Sequence, residues 1–411
     1  MTTRDLAACP PAADQGRRRS IAFLNWAHAI DHYVMLILAT VVIDLAVVYQ
    51  RSYAELIALG TPSFIAFGLF SLPAGWLGDR WSRRNMIALF YFGCAGSLLL
   101  AGLAPNLLVL TVALTGLGIF AAIYHPVGTA MLIAQARSRG RSLAFNGVCG
   151  NLGVAVAAAL TAALAGAFGW RGAFLVPALV CVVSGVIYLR LVPDGRHSGE
   201  QRPSTPDVLL PPFLAAIIFA LFVMIALSAG LVFHIATIAV PKLVDERLGS
   251  DFSLIEIGGI ATAILMCGAV AQLTIGRLVE RFPLHLLFAA VAILQFAGVL
   301  WSAYAKGPML VPALAVAVAA IYAQVTVNDL VIARYTADAW RSRIYAVRYF
   351  LTFLVSGAAV SMIALFYVRG GFDLVLGVTA RIALGFVVGT VLIAVLVSGI
   401  ERQRARTMPA E

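Results

Sequence analysis

The stretch "GWLGDRWSRR", Gly75–Arg84, ends a long apolar run with a glycine, an acid and a group of arginines. Its pattern of Gly-x-Leu-x-acid-Arg-aromatic returns about two hundred residues later as "GRLVERF", Gly276–Phe282, again at the end of an apolar run. The match extends upstream at the same offset: "SYAELIALG" at Ser52 answers "SLIEIGGIA" at Ser253. Further on, Arg139 and Arg141 answer Arg341 and Arg343. The chain therefore reads as two copies of one unit.

Composition identifies the solvent of that unit. The 411 residues are 62% hydrophobic and only 12% charged, with a mean hydropathy of +0.95. Soluble proteins carry about 25% charged residues, so half that share cannot cover a water-facing surface. The net charge of +10 rests on arginine, because Lys242 and Lys306 are the only lysines. These arginines lie between apolar segments and do not form the basic patch of a nucleic-acid binder. Cys94, Cys149, Cys181 and Cys267 fall inside apolar runs and Cys9 in the polar N-terminal stretch. No cysteine pair has metal spacing or suggests a disulfide framework.

A membrane-spanning helix needs about 20 mainly apolar residues. The sequence predicts about twelve: 20–49, 54–78, 85–104, 107–134, 142–167, 171–192, 212–241, 252–278, 284–304, 308–333, 342–368 and 374–400. Residues 1–19 lack the apolar stretch of a secretory signal and read as a cytoplasmic tail. Residues 193–211, rich in Pro, Gly, Ser and charge, read as a cytoplasmic linker between two six-helix halves, 20–192 and 212–400, with a second tail at 401–411. Arginine is concentrated in the tails and in alternate connections, which by the positive-inside rule places both termini in the cytoplasm. Parallel six-helix repeats are a transporter architecture. The expected fold is an all-α membrane protein of twelve helices in two pseudo-symmetric halves.

Gly75–Arg84 resembles the signature loop of the major facilitator superfamily, which joins spans two and three, and Gly276–Phe282 resembles that loop's weaker second copy. Within the superfamily, "GLGIFAAIYHPVGTAMLIA" from Gly116 and "GRSLAFNGVCGNLG" from Gly140 resemble the fosmidomycin-resistance branch of drug exporters. The resemblance implies the major facilitator fold, and a gate formed by Gly75, Asp79, Arg80, Arg83 and Arg84 with Gly276, Glu280 and Arg281. That gate would latch the halves on the cytoplasmic side in the outward-open state. Read from the residues alone, Gly75 permits close helix contact. Asp79 can accept hydrogen bonds from Arg83 or from the amino end of a neighbouring helix. The arginines could equally serve topology only.

Ionisable groups inside a span are functional hypotheses by default. At 100° per residue, Asn25, His28, Asp31 and His32 share one face of span one. Asp31 and His32 lie roughly 15–20 Å beyond the N-terminal arginines, near the bilayer centre. His28, Asp31 and His32 are expected to couple transport to protons, or to form a structural hydrogen-bonded group. Tyr124 and His125, beside Pro126, either line a cavity, where they bind substrate or relay protons, or mark a kink with a satisfied histidine. Arg348 either holds an anionic substrate or pairs with Asp329. Asn146, opposite Arg348 in the repeat, His234 and Asn328 complete the candidate cavity. Ser52 with Glu55 and Ser253 with Glu256 have the form of capping boxes, which discounts both glutamates as transport groups.

The chain has no phosphate-binding loop and no nucleophile–base constellation, so no cofactor, metal or enzymatic activity is expected. The leading expectation is a monomeric, proton-coupled secondary transporter of the bacterial inner membrane. It would export a small anionic or amphiphilic organic compound by alternating access. Its partners would be that substrate, protons and lipid, without nucleic acid. Proton-coupled uptake of an organic acid is the second expectation. A receptor or assembly factor on the same scaffold is the third.

Overall fold

The computed structural model describes residues 11–136, 138–193, 212–248, 251–335 and 338–407. In chain order the α-helices are α1 (Pro11–Tyr49), α2 (Tyr53–Ala58), α3 (Thr61–Arg80), α4 (Arg83–Gly102), α5 (Leu107–Ala121), α6 (Thr129–Gln135), α7 (Arg139–Leu191), α8 (Pro212–Leu248), α9 (Leu254–Leu278), α10 (Leu284–Tyr304), α11 (Leu310–Tyr335) and α12 (Asp338–Thr407). A π-helical turn, Tyr124–Gly128, joins α5 to α6.

Ten helical segments among the described residues are long and apolar enough to cross a membrane. Two of them, Arg141–Leu191 and Phe350–Gly399, have about twice the length one crossing needs. Each is broken where the backbone leaves the helix: at Gly169 (φ 72°) in α7, and at Gly370 and Gly371 (φ 57° at Gly371) in α12. Glycine alone enters these left-handed conformations cheaply. The breaks fall between the expected fifth and sixth spans and between the eleventh and twelfth, so the segments accommodate the twelve crossings read from the sequence. Helix α1 begins at Pro11, well before its apolar run, so the expected N-terminal tail is helical from that point. Arg17 there pairs with Asp14 and donates to Gln135 O at the end of α6. The expected linker at 193–211 lies outside the described residues, apart from Pro193.

Both capping boxes form. Ser52 and Ser253 accept from the backbone of Glu55 and Glu256, and each glutamate returns a bond to its serine's backbone N–H. They satisfy amides that a helix start leaves without partners.

In the first half, α1 and α4 pack along α7, and α3 and α4 along α5. In the second, α8 and α10 pack along α12, and α10 and α9 along α11. The halves meet where α7 crosses α9 and where α3 crosses α12. Small residues permit these approaches: a Cβ on Gly258 would stand 2.6 Å from Ala162 Cβ. Polar contacts add to them. Ala159 N donates to Thr262 Oγ1 at 3.0 Å, and Ser356 Oγ to Phe64 O at 3.3 Å.

Candidate functional site

The polar residues of α1 meet the π-turn and α7 in the interior of the bundle. His28 stands one helical turn before His32, which aligns the two rings. His28 Nδ1 lies 2.7 Å from Asn146 O. A carbonyl only accepts, so neutral His28 carries its proton on Nδ1 and presents a lone pair at Nε2. His32 Nε2 stands 3.2 Å from that atom and donates to it. Tyr124 stacks on His28, with centroids 4.8 Å apart and planes at 23°.

The Asn146 amide binds this corner together. Its Nδ2 donates to Tyr124 Oη at 2.8 Å and to Asn25 Oδ1 at 2.9 Å. Three expected cavity residues, Asn25, Tyr124 and Asn146, thus form one network spanning α1, the π-turn and α7. Span five contributes by its smallness: a Cβ on Gly150 would lie 2.5 Å from His28 Nε2.

The third imidazole comes from His125, on the π-turn where Pro126 removes a backbone donor. Its ring centroid lies 5.2 Å from that of His28 and 5.4 Å from that of His32. One ring nitrogen from each of His28, His32 and His125 lies within 4.8 Å of the others. Asp31 is fully buried, and His125 Nε2 stands 3.3 Å from Asp31 Oδ2. The expected His28–Asp31–His32 group thus gains His125 as a fourth member. Adjacent helical residues point about 100° apart, so Asp31 turns away from His32 and meets the imidazole of the π-turn. His125, expected as a cavity wall that binds substrate or relays protons, or as a kink, stands between the carboxylate and the other rings. On its outer side His125 touches Phe67 of α3 and Phe353 of α12, at centroid distances of 6.0 and 4.6 Å. The cluster therefore borders the junction of the two halves.

His234 lies on α8, and its ring stands 6.3 Å from that of Phe64. Arg348 is buried and pairs with Asp329; Asn328 beside it is also buried. These residues form a second polar centre, on α11 and α12. A small space lined mainly by apolar residues, Ile235, Leu243, Val299 and Leu314 among them, with Ser302 and Thr379, belongs to neither centre.

The two gate segments differ in their surroundings. Asp79 accepts from Arg83 Nη2 at 2.7 Å, and Arg80 lies over the Trp76 ring at 4.3 Å. Arg84 donates to Val192 O at 2.6 Å and Leu189 O at 2.5 Å, covering carbonyls at the end of α7. All of these contacts lie within the first half. A Cβ on Gly75 would meet Pro126 Cβ at 3.2 Å, whereas one on Gly276 would meet nothing within 4 Å among the described residues. The close contact implied for the motif glycine is thus made by the first copy and not by the second. Glu280 and Arg281 are exposed in the turn after α9.

Sequence reasoning missed Gly150, Phe67 and Phe353. The glycines at 147, 150 and 153 were a signal, because that spacing lines one face of a helix. Nothing in the pattern identified the phenylalanines.

A bundle of long apolar helices with an ionisable cluster in its interior is the form of a multi-pass membrane transporter. The sequence profile of the Major Facilitator Superfamily matches residues 21–354, and the chain belongs to that family. Among curated relatives, the "Probable 4-methylmuconolactone transporter" of Cupriavidus pinatubonensis is 25% identical over 66% of this chain and 65% of its own. The "Probable sugar efflux transporter" of Mannheimia succiniciproducens is 25% identical over 56% of this chain and 57% of its own. Each match spans less than two thirds of the relative. The fold is similar to that of a bacterial homolog of the human lysosomal transporter Spinster, solved inward-facing and occupied. The TM-score is 0.72 at 15% identity, over 95% of this chain and 97% of that one.

Proposed function

We propose that this chain is a proton-coupled secondary active transporter that exports a small anionic or amphiphilic organic compound. It works by alternating access between six-helix halves at 20–192 and 212–400. The observation that carries the reading is the buried Asp31 beside His125, with His28 and His32 within reach. A carboxylate and an imidazole in contact at low dielectric can pass a proton between them, whereas a structural scaffold has little reason to keep a fully buried acid. Their place at the junction with Phe353 lets rocking of the halves change which side reaches them. Export is favoured by the likeness to a relative named for efflux and by the resemblance to drug exporters. The arginine-bearing connections place the termini on the cytoplasmic side of a bacterial inner membrane, and the protein acts as a monomer. Arg348 and Asp329 hold the second half together, while His234 and Asn328 face the substrate path.

The test begins with thermal-shift screening of the purified protein against fosmidomycin, 4-methylmuconolactone, sugars and organic acids. Proteoliposomes carrying a pH gradient then compare wild type with Asp31→Asn and His32→Gln on the compound that stabilises most. Both variants should exchange the compound but fail to concentrate it. Accumulation equal to wild type in both would refute proton coupling at this cluster.

A further inference from the structure

The three imidazoles have the arrangement of a metal site as well as that of a proton path. A tetrahedral zinc ion with nitrogens at about 2.0–2.1 Å holds its ligands roughly 3.3 Å from one another. His28 Nε2 and His32 Nε2 are already 3.2 Å apart, and a nitrogen of His125 lies within 4.8 Å of both. Histidines at i and i+4 on one helix are a recurrent way to supply two ligands.

The surroundings match what such ligands require. His28 donates its Nδ1 proton to Asn146 O, which fixes the tautomer and leaves the Nε2 lone pair facing the centre. Ligating histidines nearly always make such a bond from the far nitrogen. Stacking on Tyr124 holds the ring plane. His125 Nε2 stands 3.3 Å from Asp31 Oδ2, which sets a carboxylate beside the three imidazoles. Asp31 is fully buried, so its charge would offset that of a dication in a medium where isolated charge is costly.

We propose that His28, His32 and His125 form a binding site for a borderline divalent transition-metal ion such as Zn2+ or Co2+, with Asp31 as its charge-compensating partner. Imidazole ligands suit such ions, whereas Mg2+ and Ca2+ prefer oxygen. The site shares residues with the proton path but does not depend on it, because metal binding is measured at equilibrium without a gradient.

The experiment uses the full chain, purified in detergent with a tag free of histidine. Zn2+ is titrated calorimetrically, and Co2+ is followed by its visible d–d bands. Wild type should bind one ion per chain and give the spectrum of tetrahedral, nitrogen-ligated Co2+. His32→Gln and His125→Gln should each weaken Zn2+ binding at least about tenfold. His197→Gln, outside the described residues, should leave it unchanged. Absence of the tetrahedral spectrum in wild type overturns the site, whether or not the variants fold. Unchanged Zn2+ affinity in both cluster variants, with melting curves like wild type, overturns it as well. If Zn2+ binds as expected while Asp31→Asn still concentrates substrate, the metal site stands and the coupling proposal falls.

Discussion

Alanine at positions 147, 150 and 153 should separate the packing of the α1–α7 crossing from the geometry of the histidine cluster. A Cβ at Gly147 would meet nothing within 4 Å among the described residues. In a helix interior the change from glycine to alanine favours the folded state by about 1 kcal/mol, so Gly147→Ala should be neutral or stabilising. At Gly150 the new carbon would stand 2.5 Å from His28 Nε2 and 2.6 Å from its Cε1. The ring must withdraw to the 3.4 Å of an ordinary contact, and it cannot do so while keeping its 2.7 Å bond to Asn146 O and its 3.2 Å approach to His32. Overpacking of this kind costs about 1–3 kcal/mol, partly offset by the helix preference, so the net loss is about 0–2 kcal/mol. At Gly153 the obstacle is backbone: the carbon would lie 2.9 Å from Ala29 Cα and closer still to Ala29 O. No rotamer relieves that contact, and the loss should reach the upper end, about 3 kcal/mol. Thermal unfolding in detergent should therefore rank Gly147→Ala at or above wild type, then Gly150→Ala, then Gly153→Ala. Gradient-driven accumulation in proteoliposomes should fail in Gly150→Ala while Gly147→Ala behaves as wild type. If Gly150→Ala concentrates substrate as well as Gly147→Ala, the placement of the His28 ring does not matter to coupling and the reasoning is wrong.

Other outcomes follow from single contacts. Asp79→Asn weakens the bond to Arg83 and should slow turnover while leaving substrate affinity unchanged; equal turnover in proteoliposomes would contradict a gating role. Ser52→Ala removes a cap and should cost about 1 kcal/mol, lowering the melting temperature without loss of transport; a folded but inactive variant would show that the capping box has a further role. Arg348→Leu removes the ion pair with Asp329 and should lower the melting temperature, whereas Arg348→Leu with Asp329→Leu should recover part of the loss. Transport abolished in a double variant as stable as wild type would make Arg348 a substrate anchor.

Much of this fold was legible because its signals are local. Apolar runs, arginines at alternate connections and the Ser-x-x-Glu starts each lie within a few residues, and physical chemistry fixes what each does. Even the breaks at Gly169 and at Gly370–Gly371 coincide with the ends of apolar runs. The site was legible only along one helix. Periodicity identified His28 and His32 as neighbours, because i and i+4 always are. It could not bring His125 to Asp31, 94 residues earlier in the sequence, since that contact depends on how α1 packs against the π-turn. Nor could it give Gly150 its place against the His28 ring.

The repeated loop carries the same lesson and joins the two parts of the molecule. "GWLGDRW" and "GRLVERF" share a pattern, but only the first copy has its glycine against a neighbour among the described residues. Gly75 abuts Pro126, and a Cβ on Gly78 would stand 2.8 Å from Val127 Cγ2. Pro126 and Val127 belong to the same five-residue turn that holds His125 beside Asp31. The end of α3 that bears Asp79 is thus seated directly on the segment that positions the third imidazole. A movement of α3 against α12, whose Phe353 also touches His125, must be taken up by that turn. The π-turn interrupts the regular helical hydrogen bonding of its span there. The repeated loop and the histidine cluster therefore share one structural element, and no residue pattern confined to either loop or helix could have revealed it.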